Sequence, residues 1–272
     1  MGCKNTTPAV PEGTLLEQYS KANLPQPWSG QYENDFEKQI YMAINLCRHD
    51  PKSFVPYVRQ VYKEHVLLKA GAGKKMNDLI AKLQATESLK LVSFDEEANQ
   101  AVRANNADKI ASNEDKPTKG GNIAKYSEIK GNDSSATCTE FTMPQFEGTT
   151  GTEFIALQLA LDFEDFEAAV EAAKKPKGSE LTAETTSGEQ TAAAAPALPA
   201  DENAANPEGQ AAKDATKDAS KAAKPAGAPT KPSYTPILDE EVQMVGICNK
   251  AHKKTRNLIQ VLYIKSQANA MV

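Results

Sequence analysis

The first six residues of the chain, MGCKNT, carry its clearest chemical motif. They fit the pattern M-G-x-x-x-[ST], in which removal of Met1 exposes the Gly2 amine for N-myristoylation. Cys3 would then lie at the membrane surface, where its thiol can accept a palmitoyl group. One acyl chain holds a protein only marginally, and only Lys4 is basic nearby, so a stable anchor needs a second chain on Cys3. We therefore predict lipidation at Gly2 and Cys3.

Residue types that suit nucleophilic catalysis do not form a recognisable set. The sequence has no G-x-S-x-G motif. Cys47 and His49 are close in sequence, but residues two apart on a helix do not face each other. The segment AGAGKK at residues 70–75 lacks the spacing of a phosphate-binding loop. We therefore expect no catalytic residues.

Composition excludes several classes of protein. The 272 residues carry a formal net charge of -5, without the clustered Lys and Arg that phosphate binding needs, so we expect no nucleic-acid partner. No apolar run approaches the roughly 18 residues that cross a bilayer, and no signal-peptide pattern opens the sequence. Of the four cysteines, Cys47 and Cys248 lie among apolar residues, which predicts buried free thiols rather than a disulfide framework.

The domain organisation follows from changes in composition. Residues 1–33 are polar and proline-bearing, and are interpreted as an acylated anchor and spacer. Residues 172–233 are rich in Ala, Pro, Lys, Asp, Glu and Thr and nearly lack aliphatic side chains larger than Ala, which predicts a disordered insertion. The flanking segments, 34–171 and 234–266, are then two parts of one domain. A short tail, 267–272, follows.

Capping signals and periodicity predict the elements of that domain. Asn34 and Glu37 stand at capping-box spacing before one helix, and Ser93 and Glu96 before another. The polar segment 112–151 predicts loops with at most short strands. A mostly apolar helix is expected next, and two β-prone runs after the insertion predict a C-terminal hairpin. Expected helices cover 36–49, 55–69, 76–83, 96–110 and 152–162, and the hairpin runs are 242–249 and 258–264.

The opening helix also carries a motif. Ile44, Asn45, Arg48, Pro51 and Phe54 fill the pattern I-N-x-x-R-x-x-P-x-x-F. In this the sequence resembles the CAP domain superfamily of cysteine-rich secretory, antigen 5 and pathogenesis-related 1 proteins, in the form of a divergent, protist-type intracellular member.

Later segments resemble that family in the same order. Residues 89–104 resemble the family stretch of the type L-x-x-L-x-F-D-x-x-L-x-x-A. Residues 237–252, which include Val245-Gly246-Ile247, resemble the C-terminal stretch of the family domain. The resemblance implies an α+β fold, a three-layer α-β-α sandwich of CAP type, here interrupted by the long insertion.

The resemblance also implies a cavity lined by two histidines and two acidic residues, which bind a divalent metal in some members. Both histidines are missing at the expected places in this chain, and Glu140 and Asp162 are the candidates for the two acidic residues. Carboxylates alone make a poor zinc site, so we expect no bound metal and no cofactor. His252 falls in the hairpin turn, where we expect it to be exposed and structural.

The combined expectation is a non-enzymatic, lipid-anchored CAP-like protein with a degenerate cavity. It would present a protein- or lipid-binding surface at the cytoplasmic face of a plasma, ciliary or Golgi membrane, with its acyl chains as the membrane contact. One alternative is a metal-dependent hydrolase that uses Glu140, Asp162 and His252. Another is a structural or ciliary scaffold component that acts through the 172–233 insertion.

Overall fold

A computed structural model describes residues 11–65, 68, 75–114, 120–131, 138–164 and 235–265. All of them belong to one of the two units into which the chain divides, the unit formed by Met1–Pro176 and Lys231–Val272. The predicted lipidation sites Gly2 and Cys3, the predicted insertion and the predicted tail lie outside the described residues.

The described residues form seven α-helices and four strands. The helices are α1 (Leu15–Lys21), α2 (Asp35–His49), α3 (Val55–Glu64), α4 (Met76–Ala85), α5 (Glu96–Ser112), α6 (Gly121–Lys130) and α7 (Gly151–Glu164). The strands are β1 (Ser93–Phe94), β2 (Cys138–Pro144), β3 (Val242–His252) and β4 (Arg256–Lys265). The fold is therefore mixed α/β, and within the described part of the chain no helix is long and apolar enough to cross a membrane.

The four strands make one mixed sheet in the order β1-β3-β4-β2. The predicted hairpin is confirmed: β3 and β4 pair antiparallel, with Val245 opposite Tyr263 and Ile247 opposite Val261. On the outer side of β4 the antiparallel strand β2 is added, and β1 pairs parallel to β3 through two residues only. The two central strands thus come from the C-terminal part of the chain.

Alternation along β4 divides the core between the two faces of the sheet. Ile259, Val261 and Tyr263 join the large apolar cluster under α2, α3 and α7. Leu262 and Ile264 join a smaller cluster with the apolar residues of α5 and α6. The sheet therefore has helices packed on both of its faces.

The start of α2 follows the capping prediction in part. Asn34 caps the helix, and its side-chain oxygen accepts a hydrogen bond from the Glu37 backbone N–H at 3.0 Å. The buried Glu37 carboxylate accepts bonds from the backbone N–H groups of Glu33 at 2.9 Å and Asn249 at 2.8 Å. Because Asn249 lies on β3, this carboxylate also fixes α2 to the central hairpin. Burial raises the pKa of Glu37, and the two backbone donors oppose that shift.

Arg48 joins three distant segments. Its buried guanidinium donates to the backbone oxygens of Lys90 at 2.7 Å, Ile237 and Asp239 at 2.9 Å, and Val242 at 3.0 Å. Each bond satisfies a carbonyl that would otherwise lie unpaired near the core. Arg48 thereby holds the chain that enters β1 and the chain that enters β3 against the end of α2.

Several sequence predictions were wrong in detail. The segment 112–151 contains a ten-residue helix, α6, and a seven-residue strand, β2, rather than loops with short strands. Part of the predicted spacer is ordered, since α1 packs on α2 and buries Tyr19. The cap of α5 is Asp95, whose carboxylate accepts from the Ala98 N–H at 2.7 Å, whereas Ser93 is in β1. In each case the local sequence signal was weak, and a tertiary contact determined the secondary structure or the cap.

Candidate functional site

Glu140, the first predicted cavity carboxylate, caps a helix. Its oxygens accept hydrogen bonds from the backbone N–H of Asn122 at 2.9 Å and from that of Gly120, at the start of α6. A carboxylate at a helix N-terminus pairs with unsatisfied donors and with the positive end of the helix dipole. Glu140 thus positions α6 against β2.

Asp162, the second predicted carboxylate, lies near the end of α7. It is half-buried, and its Oδ2 atom is fully shielded without a hydrogen-bond partner in the described structure. Burial raises the pKa of Asp162 to about 7, although the neighbouring polar side chains of Thr235 and Gln158 oppose the shift. Gln158 in turn accepts a bond from the Tyr263 hydroxyl at 2.8 Å. This carboxyl can therefore gain or lose a proton near neutral pH.

The structure does not bring these two carboxylates together. Asp162 interacts with Gln158 and Tyr263, on the face of the sheet covered by α2, α3 and α7. Glu140 lies opposite Leu262, which packs with α5 and α6 on the other face. Since the sheet separates the two groups, they cannot share one ion or one substrate. Among the described residues, no three His, Cys, Asp or Glu side chains form a group that would hold a metal ion.

The other chemically capable side chains serve the fold. His252 was predicted to be exposed, but it is buried, with 4% of its surface exposed. Its Nδ1 accepts a hydrogen bond from the Lys254 N–H at 3.3 Å, and this bond orders the hairpin turn. Cys47 and Cys248 are buried free thiols, as predicted. Burial raises the pKa of both thiols, that of Cys248 to about 12, so both are protonated at neutral pH.

A concave apolar surface lies elsewhere, between α3, β2 and α7. We call it the α3–β2 groove; its volume is about 630 Å³. Six apolar side chains that belong to the main core also reach its floor. These floor residues are Val61, Phe141, Met143, Phe146, Leu157 and Leu161. Such a volume and lining are typical of sites that bind small apolar ligands.

The rim of the α3–β2 groove is acidic. Glu64, Glu147 and Glu153 line it, and no Lys or Arg does so among the described lining residues. Partial burial lowers the pKa of His65 at the same rim, while the negative charge of Glu147 opposes that shift. An imidazole with a lowered pKa is mostly neutral at pH 7, so His65 does not compensate the negative charge of Glu64 and Glu147. The groove therefore favours neutral apolar ligands over anionic ones.

A second hollow adjoins the first. It lies between α1, α2 and the start of α7, has a volume of about 610 Å³, and shares Gln60 and Glu153 with the α3–β2 groove. Pro11, the first described residue, lines this second hollow. Pro11 thus lies in the hollow that adjoins the groove.

No protein-family model, no curated protein and no solved structure matches this chain. The case for a functional site therefore rests on the geometry of the chain itself.

Sequence reasoning missed the groove because it assigned most of β2 to loops. One signal was present: Phe141 and Met143 alternate with the polar Glu140 and Thr142, the period of a half-buried strand. Phe146 follows at the end of the same run. The closing residues of α3 gave no such signal, since only tertiary structure shows that Val61 faces α7 and β2.

Proposed function

We propose that this chain is a non-enzymatic, lipid-anchored protein that presents an apolar binding surface at the cytoplasmic face of a membrane. The observation that carries the binding role is the α3–β2 groove, which combines an apolar floor with an acidic rim. Attachment to the membrane rests on the acylation motif at Gly2 and Cys3. The separation of Glu140 from Asp162 argues against the alternative of a metal-dependent hydrolase built on both.

We propose further that the fold is a divergent CAP-type sandwich. Two features support this: helices pack on both faces of the sheet, and the hairpin β3–β4 closes the domain in sequence. Asn45, Arg48 and Phe54 of the family-like motif are all buried, as expected of residues that specify a fold. In this proposal the family's histidine-acid cavity has been lost and the groove is the binding site.

The membrane anchor is tested by intact-mass analysis of the protein from its native cells, together with fractionation of wild type, Gly2→Ala and Cys3→Ser. We expect a mass gain that corresponds to one myristoyl and one palmitoyl group. Gly2→Ala should lose both groups and move to the soluble fraction. Cys3→Ser should keep the myristoyl group but bind membranes weakly, because a single chain gives only marginal attachment.

Asn5→Ala supplies the matched control, since this position is unrestricted in the acylation motif. It should leave both the mass gain and the membrane fraction unchanged. An unmodified wild-type mass together with a distribution that Gly2→Ala does not alter would show that the anchor is absent.

A further inference from the structure

The position of the groove relative to the N-terminus suggests an occupant. Pro11 lines the second hollow, which adjoins the α3–β2 groove at Gln60 and Glu153. Pro11 lies nine positions after Gly2. At about 3.3 Å per residue, such a segment reaches roughly 30 Å when extended. A group attached to Gly2 can therefore reach the floor of the groove without any change in the described structure.

The chemistry of the groove selects among apolar ligands. A free fatty acid, or the phosphate of a phospholipid headgroup, brings a negative charge, which Glu64, Glu147 and Glu153 repel because no Lys or Arg is found among the described lining residues. An acyl chain in amide linkage to Gly2 has no charge, and it offers a long chain of CH₂ groups to the floor. Each CH₂ group that is buried against this floor adds to the stability of the contact.

We propose that the α3–β2 groove is a seat for the myristoyl chain on Gly2 of the same molecule. This inference rests on the proposed acylation of Gly2. The seated chain is withdrawn from the bilayer, so the groove and the membrane compete for one acyl group. Palmitoylation of Cys3 adds a second chain and shifts the balance to the membrane.

The exchange of the acyl chain between groove and bilayer has a measurable consequence. Only the unseated fraction binds membranes, so the apparent vesicle affinity equals the intrinsic affinity multiplied by that fraction. If nine tenths of the molecules hold the chain in the groove, blocking the groove raises vesicle binding about 10-fold.

The test uses the full chain with Cys3→Ala, co-expressed with an N-myristoyltransferase, beside the same chain with Gly2→Ala. Intact mass first establishes whether Gly2 carries the acyl group. Hydrogen exchange of the two proteins is then compared, and we expect slower exchange in α3, β2 and α7 of the acylated protein. This measurement needs no substitution in the groove, so a folding defect cannot imitate the result.

A blocking variant gives the second readout. Gln60→Trp places a large ring at the half-exposed junction between the two hollows, and it should raise binding of the acylated protein to phosphatidylcholine vesicles about 10-fold. Ile129→Trp, on α6 at a residue that is 40% exposed, controls for membrane affinity of the added ring. Both variants are also measured in the Gly2→Ala background, where neither should bind.

The outcomes separate the two proposals. If the transferase leaves Gly2 unmodified, both the anchor and the seat are wrong. If the mass shows the acyl group but hydrogen exchange is the same with and without it, the anchor stands and the seat is wrong. Equal vesicle binding by acylated wild type and Gln60→Trp would likewise overturn the seat.

Discussion

Asn45 and Arg48, two residues of the motif that suggested a family, bind backbone groups rather than a ligand. The Asn45 side chain accepts from the Val92 N–H at 2.8 Å and donates to the Val92 oxygen at 3.2 Å. Arg48 donates all of its bonds to carbonyls, as described above. A buried polar residue with every bond to the main chain specifies architecture, and it gives no information about chemistry. That is why the motif could point to a fold but not to a site.

Asp162 is the residue at which stability should depend on pH. Its folded pKa of about 7 lies above the ordinary value of 3.8 because burial disfavours the charged form. The folded state thus holds the proton more tightly. The stability that Asp162 contributes through this proton is complete below about pH 4 and is lost as the pH rises to about 7. Over that range the free energy of unfolding falls by at most about 1.4 kcal/mol per pH unit.

Asp162→Asn should remove this dependence. The free energy of unfolding of both proteins is measured with urea at pH 5 and pH 8. We expect the variant's advantage over wild type to be larger at pH 8 than at pH 5. Asp50→Asn, at an exposed position, is the control and should follow the wild-type profile. Parallel pH profiles for wild type and Asp162→Asn would contradict the assignment.

At the scale of elements, the contact between α5 and β3 depends on a missing side chain. A Cβ atom added at Gly246 would lie 2.6 Å from the backbone nitrogen of Asn99 and closer still to the carbonyl carbon of Ala98. Both atoms belong to α5, which packs directly on β3. Since backbone cannot rotate away as a side chain can, the whole helix would have to shift.

Gly246→Ala should therefore destabilise the protein by about 1–3 kcal/mol, the range for overpacking in a tight core. Thermal or urea unfolding measures this loss. Gly30→Ala is the matched control: the nearest atoms there belong to the ring of Trp28, which is 72% exposed and can move. Its effect should stay within about 0.5 kcal/mol. A loss of equal size in both variants would rule out the proposed steric cause.

The sequence predicts a helix or strand more reliably when the element is long and its apolar and polar residues are clearly separated. The helix α2 was predictable because its apolar residues recur at helical spacing, and the hairpin β3–β4 because two β-prone runs flank a polar turn. The strand β1 has two residues and exists only through its partner β3. The helix α6 begins at Gly121 without a side-chain cap of its own, because Glu140 from β2 provides it. No local rule finds a cap that is supplied from elsewhere in the chain.

The candidate site follows the same logic. The two carboxylates were paired only through the family resemblance, and the sheet separates them. The groove came from the meeting of three elements, of which β2 was not predicted as a full strand. Its floor residues are ordinary core residues, so their type alone could not distinguish a binding surface from interior packing.

At the scale of the whole molecule, residues 177–230 should be dispensable for folding. All described residues belong to the other unit of the chain. Replacing 177–230 with a flexible linker of about 20 residues changes the loop-closure entropy only slightly. We expect the melting temperature, followed by circular dichroism, to change by no more than a few degrees. Loss of the cooperative transition would show that the segment contributes to the folded core.

The same deletion tests the scaffold alternative. If partners recovered from native cells bind through residues 177–230, the shortened chain should lose them while it keeps its fold. Recovery of the same partners would leave the folded unit as the binding part, in agreement with the proposed role of the groove.

The order of strands in the sheet has a consequence for biosynthesis. The two central strands, β3 and β4, are translated after every other described element, and the outer strands β1 and β2 precede them. At 5–20 residues per second, a ribosome needs on the order of 10 s to proceed from Phe94 to Val242. During that interval neither face of the sheet exists and the helices have nothing to cover. The nascent chain therefore cannot complete its sheet, or the core on either face of that sheet, until its last strands have left the ribosome.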